Sequence, residues 1–111
     1  MKGTVTLIVP CYNEEESLPI FYHAVCDVAQ TLPDYQMTFL LINDGSKDNT
    51  LQIMRDLAAK DERVKYLSFS RNFGKEAAMY AGFCNAEGDY VAVMDADMQD
   101  PPSLLPQMIE I

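Results

Sequence analysis

The chain has 111 residues, enough for one small domain or for part of a larger one. A hydrophobic content of 49% and a charged content of 23% are typical of globular proteins and exclude intrinsic disorder. The net charge of −9 argues against a nucleic-acid-binding surface, because contacts to phosphates require clustered Lys and Arg.

Short apolar runs alternate with segments of helical periodicity along the chain. In chain order the pattern predicts a strand over 5–9, a helix over 18–32, a strand over 37–42, a helix over 51–58, a strand over 64–68, a helix over 76–86, a strand over 90–94 and a helix over 103–111. Ser17 is the predicted N-cap of the first helix, and Ser46 or Asp48 that of the second.

This order predicts an α/β fold: an open, mostly parallel, Rossmann-like sheet with helices on both faces. In such sheets ligands bind beyond the carboxyl ends of the strands, near the point where the strand order reverses. The distinctive polar segments each follow one predicted strand: 10–16, 43–46, 70–75 and 95–100. The sequence therefore predicts a site at one edge of the sheet.

The segment after the fourth strand is acidic, and residues 84–111 carry six acids with no Lys or Arg. Because alternate residues of an extended chain point the same way, Asp95, Asp97 and Gln99 can offer three oxygens to one centre. Oxygen ligands suit Mg²⁺ or Mn²⁺. The alternative is a solvated acidic turn before Pro101 and Pro102.

Two other strand ends have both a functional and a plain structural interpretation. Asp44 can accept from a base or ribose, whereas Gly45 and Ser46 also fit ordinary turn chemistry. Arg71 and Lys75 at the start of the third helix suit a diphosphate, but they also fit a solvated basic loop.

Several familiar sites are absent from the sequence. It has no Gly-x-Ser-x-Gly elbow, no Gly-x-Gly-x-x-Gly fingerprint and no Walker A loop. Cys11, Cys26 and Cys84 are predicted to be free, buried thiols in a reducing compartment. No signal peptide and no apolar run of the roughly 20 residues that span a bilayer is visible, which predicts a soluble chain.

Taken together, the four polar segments resemble inverting glycosyltransferase family 2, whose nucleotide-sugar-binding domain has the α/β fold called GT-A. The resemblance covers residue 6 to about residue 105 and rests on Ile-Val-Pro-Cys-Tyr-Asn-Glu-Glu (8–15), Asn-Asp-Gly-Ser-Lys-Asp-Asn-Thr (43–50), Ser-Arg-Asn-Phe-Gly-Lys-Glu-Ala (70–77) and Met-Asp-Ala-Asp-Met-Gln-Asp-Pro-Pro (94–102). The last two segments are most similar to the branch that charges polyprenyl phosphates, which includes dolichol-phosphate mannosyltransferases and bactoprenol glucosyltransferases.

The resemblance implies a role for each matching residue. Asp44 would hold the base or ribose. Asp95, Asp97 and Gln99 would bind Mg²⁺ or Mn²⁺ at the donor diphosphate. The other residues that the resemblance places at the nucleotide or its phosphates are Pro10, Tyr12, Asn13, Glu14, Arg71, Lys75 and Ala96. No catalytic base is identified, and an acceptor that is already an anionic phosphate would not need a strong one.

The resemblance also implies partners. The donor would be a UDP- or GDP-hexose and the acceptor a polyprenyl phosphate, or a saccharide as in other members of the family. Residues 1–111 would form the N-terminal nucleotide-sugar-binding half of a truncated GT-A domain, in a parent protein associated with the cytoplasmic side of a membrane. An uncovered face would then favour self-association into a homo-oligomer.

Two rival classes share parts of this pattern. A phospho-receiver domain also holds Mg²⁺ between carboxylates at strand ends, but its acidic pair follows the first strand, where this chain has Pro-Cys-Tyr-Asn. A nucleotidyltransferase would place a glycine-rich basic loop after the first strand, and the sequence has none there.

Overall fold

The computed structural model describes residues 3–86 and 88–96 of the chain. Within them, strands and helices alternate as β1 (Gly3–Cys11), α1 (Ser17–Gln30), β2 (Tyr35–Asn43), α2 (Thr50–Lys60), β3 (Val64–Ser68), α3 (Lys75–Asn85) and β4 (Tyr90–Val93). Each of these elements was predicted, with differences of one or two residues at most ends. The predicted helix over 103–111 lies outside the described residues.

The four strands form one parallel sheet in the order β3-β2-β1-β4. This order matches the first four strands of the doubly wound 3-2-1-4 arrangement. It differs from the 2-1-3-4 order of phospho-receiver domains, in which β3 rather than β4 lies beside β1. The Rossmann-like prediction is therefore confirmed, and the receiver alternative is wrong.

Helices cover both faces of the sheet, and alternate residues of the central strands decide which face each helix covers. Val5, Leu7 and Val9 of β1 pack with residues of α1 and α2 such as Phe21 and Met54. On the opposite face Ile8, Leu40 and Ile42 pack with Ala78 of α3. Each large apolar side chain that is fully buried in this way contributes roughly 1.5–3 kcal/mol to stability.

Helix α3 approaches the sheet closely because residue 82 is glycine. A Cβ atom added at Gly82 would lie 2.5 Å from Cγ2 of Ile8. Contacts that short are not tolerated, so the helix could not keep this distance from β1 with a larger residue. The position of α3, and of Lys75 at its start, therefore depends on the absence of a Cβ atom at residue 82.

The predicted helix caps are only partly confirmed. Ser17 is the first residue of α1 and not its N-cap; the N-cap is Glu16, which makes no side-chain cap hydrogen bond. The N-cap of α2 is Asn49, which makes no side-chain cap hydrogen bond, and not Ser46 or Asp48. Asp48 Oδ1 nevertheless accepts from the backbone N–H of Thr50, the first residue of α2, at 3.0 Å. Ser46 instead accepts from Asn13, because the β1–α1 loop lies against it.

The cysteine prediction needs one correction. All three cysteines are free, but only Cys11 is buried; Cys26 is half-buried and Cys84 is exposed. Cys84 follows Tyr80 by four residues on α3, so the two lie on the same side of the helix. Tyr80 is also exposed, which shows that this is the outer side.

A polar network ties α1 to the α2–β3 loop at the amino end of the sheet. The hydroxyl of Tyr22 donates to Asp61 Oδ2 at 2.7 Å, and the Arg63 guanidinium donates to both oxygens of the same carboxylate. The guanidinium lies 5.3 Å from the centroid of the Phe39 ring. Hydrogen bonds from Arg63, opposed by burial and reinforced by Tyr22, hold the pKa of Asp61 well below its usual value.

Strand β4 pairs with β1 along one edge, and no described strand pairs with its other edge. Tyr90 and Val91 in this strand are both about two-fifths exposed. Self-association of the chain through an uncovered face stays a prediction. Among residues 3–86 and 88–96, none of the helices combines the length and apolar character that crossing a bilayer requires.

Candidate functional site

A cleft of about 270 Å³ opens at the carboxyl edge of the sheet. It lies between the ends of β1, β2 and β4, where the chain has placed β2 on one side of β1 and β4 on the other. This is the switch point at which open α/β sheets bind ligands. The residues lining it are Pro10, Cys11, Tyr12, Glu14, Asp44, Lys75 and Asp95. The cleft thus lies at the edge of the sheet where the sequence predicts a site.

The end of β1 forms the floor and one rim of the cleft. Pro10 and Cys11 are buried, whereas Tyr12 is 42% exposed and offers an aromatic surface. Burial raises the pKa of the Cys11 thiol well above its usual value, and the nearby carboxylates of Glu14 and Asp95 raise it further. The thiol therefore stays protonated at neutral pH, a state in which it is a poor nucleophile and a poor metal ligand.

Asn13 joins the loop after β1 to the loop after β2. Its backbone has a positive φ of 53°, a conformation that asparagine tolerates better than most residues. Its N–H donates to Ser46 Oγ at 2.9 Å, and its side-chain Oδ1 accepts from the backbone N–H of Lys47 at 2.8 Å. Asn13 does not line the cleft, but it holds Tyr12 and Glu14 on either side of it in place.

The start of α1 is held by the same neighbouring loop. The backbone N–H of Glu14 donates to Thr50 Oγ1 at 2.9 Å, and that of Glu15 to Asp48 Oδ2 at 3.2 Å. Partial burial acts to raise the pKa of Asp48, but hydrogen bonds from Thr50 and Glu15 outweigh it and lower the pKa. These bonds hold the segment that leads into α1 against the loop between β2 and α2.

The buried carboxylate of Asp44 holds the loop between β3 and α3. Oδ1 accepts from the backbone N–H of Phe73 at 2.8 Å, and Oδ2 accepts from that of Gly74 at 3.0 Å. The Asn72 side-chain amide also donates to Oδ2, at 3.1 Å. Only 3% of Asp44 is exposed, so these bonds satisfy a charge that burial would otherwise destabilise.

Gly45 lets the two loops come into direct contact. It has a φ of +69°, and a Cβ atom there would lie 2.1 Å from the carbonyl carbon of Arg71. Both the left-handed backbone and the lack of space require glycine. The sequence predicts a turn at Gly45 but not its contact with the loop between β3 and α3.

Lys75 and Asp95 form an ion pair across the mouth of the cleft. The Lys75 Nζ atom lies 2.8 Å from each oxygen of the Asp95 carboxylate. The Lys75 side chain is 57% exposed and the Asp95 side chain 22% exposed. The pair links the first residue of α3 to the segment that follows β4.

Two other predicted site residues lie beside the cleft and not in its lining. The Arg71 guanidinium stands 4.9 Å from the centroid of the Phe73 ring, which is itself half exposed. Ala96 is buried directly after Asp95 and packs in the core that contains Cys11. Arg71 is therefore available to a ligand only from the rim, along the β3–α3 loop.

Of the three predicted metal ligands, one lies within the described residues. Asp95 lies in the cleft, whereas Asp97 and Gln99 are outside the described residues. Within the described part of the chain, no group of three or more His, Cys, Asp or Glu side chains is arranged to hold a metal ion. The chemistry of the cleft still fits a hard cation, because its lining supplies carboxylate oxygens while its thiol stays protonated.

Sequence reasoning missed several residues that build the site. Cys11 lines the cleft, and Asn72 together with the amides of Phe73 and Gly74 binds Asp44. Thr50 holds the β1–α1 loop. Asn72 stands in a polar segment at a strand end, but nothing local in the sequence pairs it with a residue 28 positions earlier.

Comparison with known proteins agrees with this architecture. Residues 6–111 match the glycosyl transferase family 2. The chain is 48% identical over 106 residues to a bactoprenol glucosyl transferase of Shigella phage SfV, an alignment that covers 96% of this chain and 34% of that protein. The chain spans about a third of the length of the curated relatives it matches.

Solved structures show the same fold at low sequence identity. A mannosyltransferase from Pyrobaculum calidifontis in complex with GDP-Man and Mn²⁺ superposes with a TM-score of 0.75 at 22% identity, covering 99% of this chain and 32% of that one. TarS of S. aureus in complex with UDP gives a TM-score of 0.73 at 24% identity, covering 96% and 31%. The sheet with its flanking helices is thus the GT-A arrangement, and the chain belongs to glycosyl transferase family 2.

Proposed function

We propose that this chain binds the diphosphate of a UDP- or GDP-hexose together with Mg²⁺ or Mn²⁺. Residues 1–111 would be the donor-binding part of an inverting glycosyltransferase that transfers the hexose to a polyprenyl phosphate. The observation that carries the proposal is the cleft at the switch point, which combines the exposed ring of Tyr12 with the charged groups of Asp44, Lys75 and Asp95.

The charges in the cleft favour a sugar donor that binds together with a metal ion. Among the residues that the structure describes, the lining has three carboxylates, those of Glu14, Asp44 and Asp95, against the single ammonium of Lys75. A nucleoside diphosphate is itself an anion, so it would be repelled from this lining unless a cation came with it. A divalent ion bound at Asp95, with Asp97 and Gln99 as further ligands, would neutralise both the lining and the charge that develops on the departing diphosphate.

Asp44 has room for one contact to the nucleotide. A carboxylate offers about four acceptor positions, and the described residues use one on Oδ1 and two on Oδ2. The second position on Oδ1 can therefore accept from a ring N–H or a ribose hydroxyl without breaking the contacts to the loop. This supports a base or ribose contact for Asp44 in addition to its structural role.

The remaining predicted residues would act around this centre. Pro10 and Tyr12 would pack against the base, and Glu14 would accept from polar groups of the nucleoside. Asn13 would act by holding Tyr12, and Ala96 by fixing the backbone next to Asp95. Arg71 would reach the phosphates or the acceptor from the rim, because its guanidinium already lies on the exposed side of the loop.

The acceptor side is inferred from the relatives. Bactoprenol is a polyprenyl lipid, and the relative that acts on it shares nearly half of its aligned residues with this chain. A phosphate acceptor is already ionised at neutral pH, which is consistent with a cleft that offers no histidine as a base. The parent protein would work at the cytoplasmic face of a membrane, where such a lipid phosphate is accessible.

Calorimetry tests the donor proposal directly. The chain would be titrated with UDP, GDP, UDP-glucose and GDP-mannose, each with and without Mn²⁺. We expect one base to be preferred and its binding to depend on the metal. Asp95→Asn should remove the metal dependence, while Asp34→Asn, an exposed aspartate at the amino end of the sheet, should not. Failure of all four ligands to bind in either condition would overturn the proposal.

A further inference from the structure

Lys75 stands at an unusual position for a cation. It is the first residue of α3, and the only charged residue of opposite sign in that first turn is Glu76. The positive end of the helix dipole disfavours an ammonium there. The N-cap of α3 is Gly74, which has no side chain that could offset this charge.

The structure also fixes the backbone that carries Lys75. The two residues before it donate their N–H groups to the buried carboxylate of Asp44, at 2.8 and 3.0 Å. The backbone directly before Lys75 is therefore anchored at the rim of the cleft, and the long Lys75 side chain can rotate about several bonds. That side chain ends 2.8 Å from both oxygens of Asp95.

We propose that Lys75 is the resident counter-ion of Asp95, and that it leaves this carboxylate for the donor diphosphate when a divalent cation binds. The inference rests on the proposed function and adds a defined change of partner to it. The Lys75 ammonium takes one acceptor position on each oxygen of Asp95 and places a positive charge where a metal ion bound to this carboxylate would lie. Two cations held by one carboxylate would repel each other, which favours the departure of the Lys75 side chain when a divalent ion binds.

The side chain has a ready destination. The diphosphate of the donor would lie beside the cation, and a flexible ammonium is a strong donor to phosphate oxygens. Lys75 already lines the cleft, so rotation of its side chain is enough to reach a ligand inside it. Each ligand would then increase the affinity for the other, because Lys75 would leave Asp95 and bind the diphosphate.

This exchange predicts opposite effects of one substitution on two ligands. In Lys75→Met, Asp95 has no competing ammonium, so we expect Mn²⁺ alone to bind about threefold to fivefold more tightly, as suits a partly exposed ion pair. The same variant lacks a donor to the diphosphate, so UDP or GDP in saturating Mn²⁺ should bind about tenfold more weakly. The strengthening of Mn²⁺ binding by nucleotide should shrink accordingly.

The test measures Mn²⁺ binding by electron paramagnetic resonance and nucleotide binding by calorimetry. Lys60→Met is the matched control, because it removes the same charge from the last turn of α2, at the other end of the sheet; it should change neither affinity by more than about twofold. Lys75→Arg keeps a cation and should retain most of the nucleotide affinity.

Mn²⁺ binding that is unchanged or weaker in Lys75→Met would overturn the inference. So would Mn²⁺ that binds neither this variant nor the unsubstituted chain. In both cases nucleotide binding by the unsubstituted chain decides the proposed function separately. The exchange can therefore fail while donor binding stands, and the two failures are distinguishable.

Discussion

The carboxylate of Asp44 accepts a hydrogen bond from the backbone N–H of Gly74, 30 residues further along the chain. Gly74 is the N-cap of α3, so the acid at the end of β2 holds the start of the helix that covers one face of the sheet, while α1 and α2 cover the other. The same helix carries Lys75, which reaches the end of β4. Three strand ends are thereby connected through one buried charge.

Substitution of Asp44 tests this connection. In Asp44→Asn the side chain keeps one acceptor oxygen and gains an N–H₂ group that faces backbone donors, so at least one of them loses its partner. We expect the free energy of unfolding to fall by about 1–3 kcal/mol in urea titrations. The affinities for UDP and GDP should both fall, because the loop that carries Lys75 loosens. Asp34→Asn serves as control, and equal stability of the two variants would contradict the role of Asp44.

Asp97 lies outside the described residues, and its part in metal binding is a prediction from the acidic segment. Asp97→Ala removes one of the proposed oxygen ligands, so we expect the Mn²⁺-dependent part of nucleotide binding to be lost. Calorimetry with and without Mn²⁺ measures it. An unchanged metal dependence would show that Asp97 is not a ligand.

The network at the amino end of the sheet predicts a pH dependence. The folded-state pKa of Asp61 is depressed, mainly by hydrogen bonds from Arg63, relative to an ordinary value of about 3.9. Its contribution to stability is therefore present above that value and is lost as the pH falls through the folded pKa. Unfolding free energies measured between neutral pH and about pH 2 should fall more steeply for the unsubstituted chain than for Asp61→Asn. Asp27→Asn, an exposed site on α1, should leave the slope unchanged.

The close packing of α3 on β1 predicts that Gly82→Ala destabilises the unsubstituted chain but stabilises a chain in which Ile8 is shortened. Gly82→Ala places a Cβ atom 2.5 Å from Ile8, and we expect a net loss of about 1–3 kcal/mol despite the higher helix propensity of alanine. In an Ile8→Ala background the clash is gone, so the same substitution should stabilise by up to about 1 kcal/mol. A double-mutant cycle in urea measures both. Additive effects of the two substitutions would rule out the contact.

Local patterns in the sequence determined the fold class and the edge of the sheet that carries the site. Strands such as β1 are apolar runs bounded by polar residues, and parallel strands align their carboxyl ends. That is why Tyr12, Asp44 and Asp95 could be assigned to one site before any coordinates. The family resemblance rested on those same segments.

Only the tertiary structure decided what each polar group binds. The bond between Asp44 and Gly74, the pair of Lys75 with Asp95 and the contact of Asn13 with Ser46 each join residues 20 or more positions apart. Periodicity and local propensity describe neighbours within a few residues, so they carry no information about such pairs. The sequence by itself therefore determined which strand ends meet at the cleft, and the packing of the loops determined which residues line the cleft and which hold the loops in place.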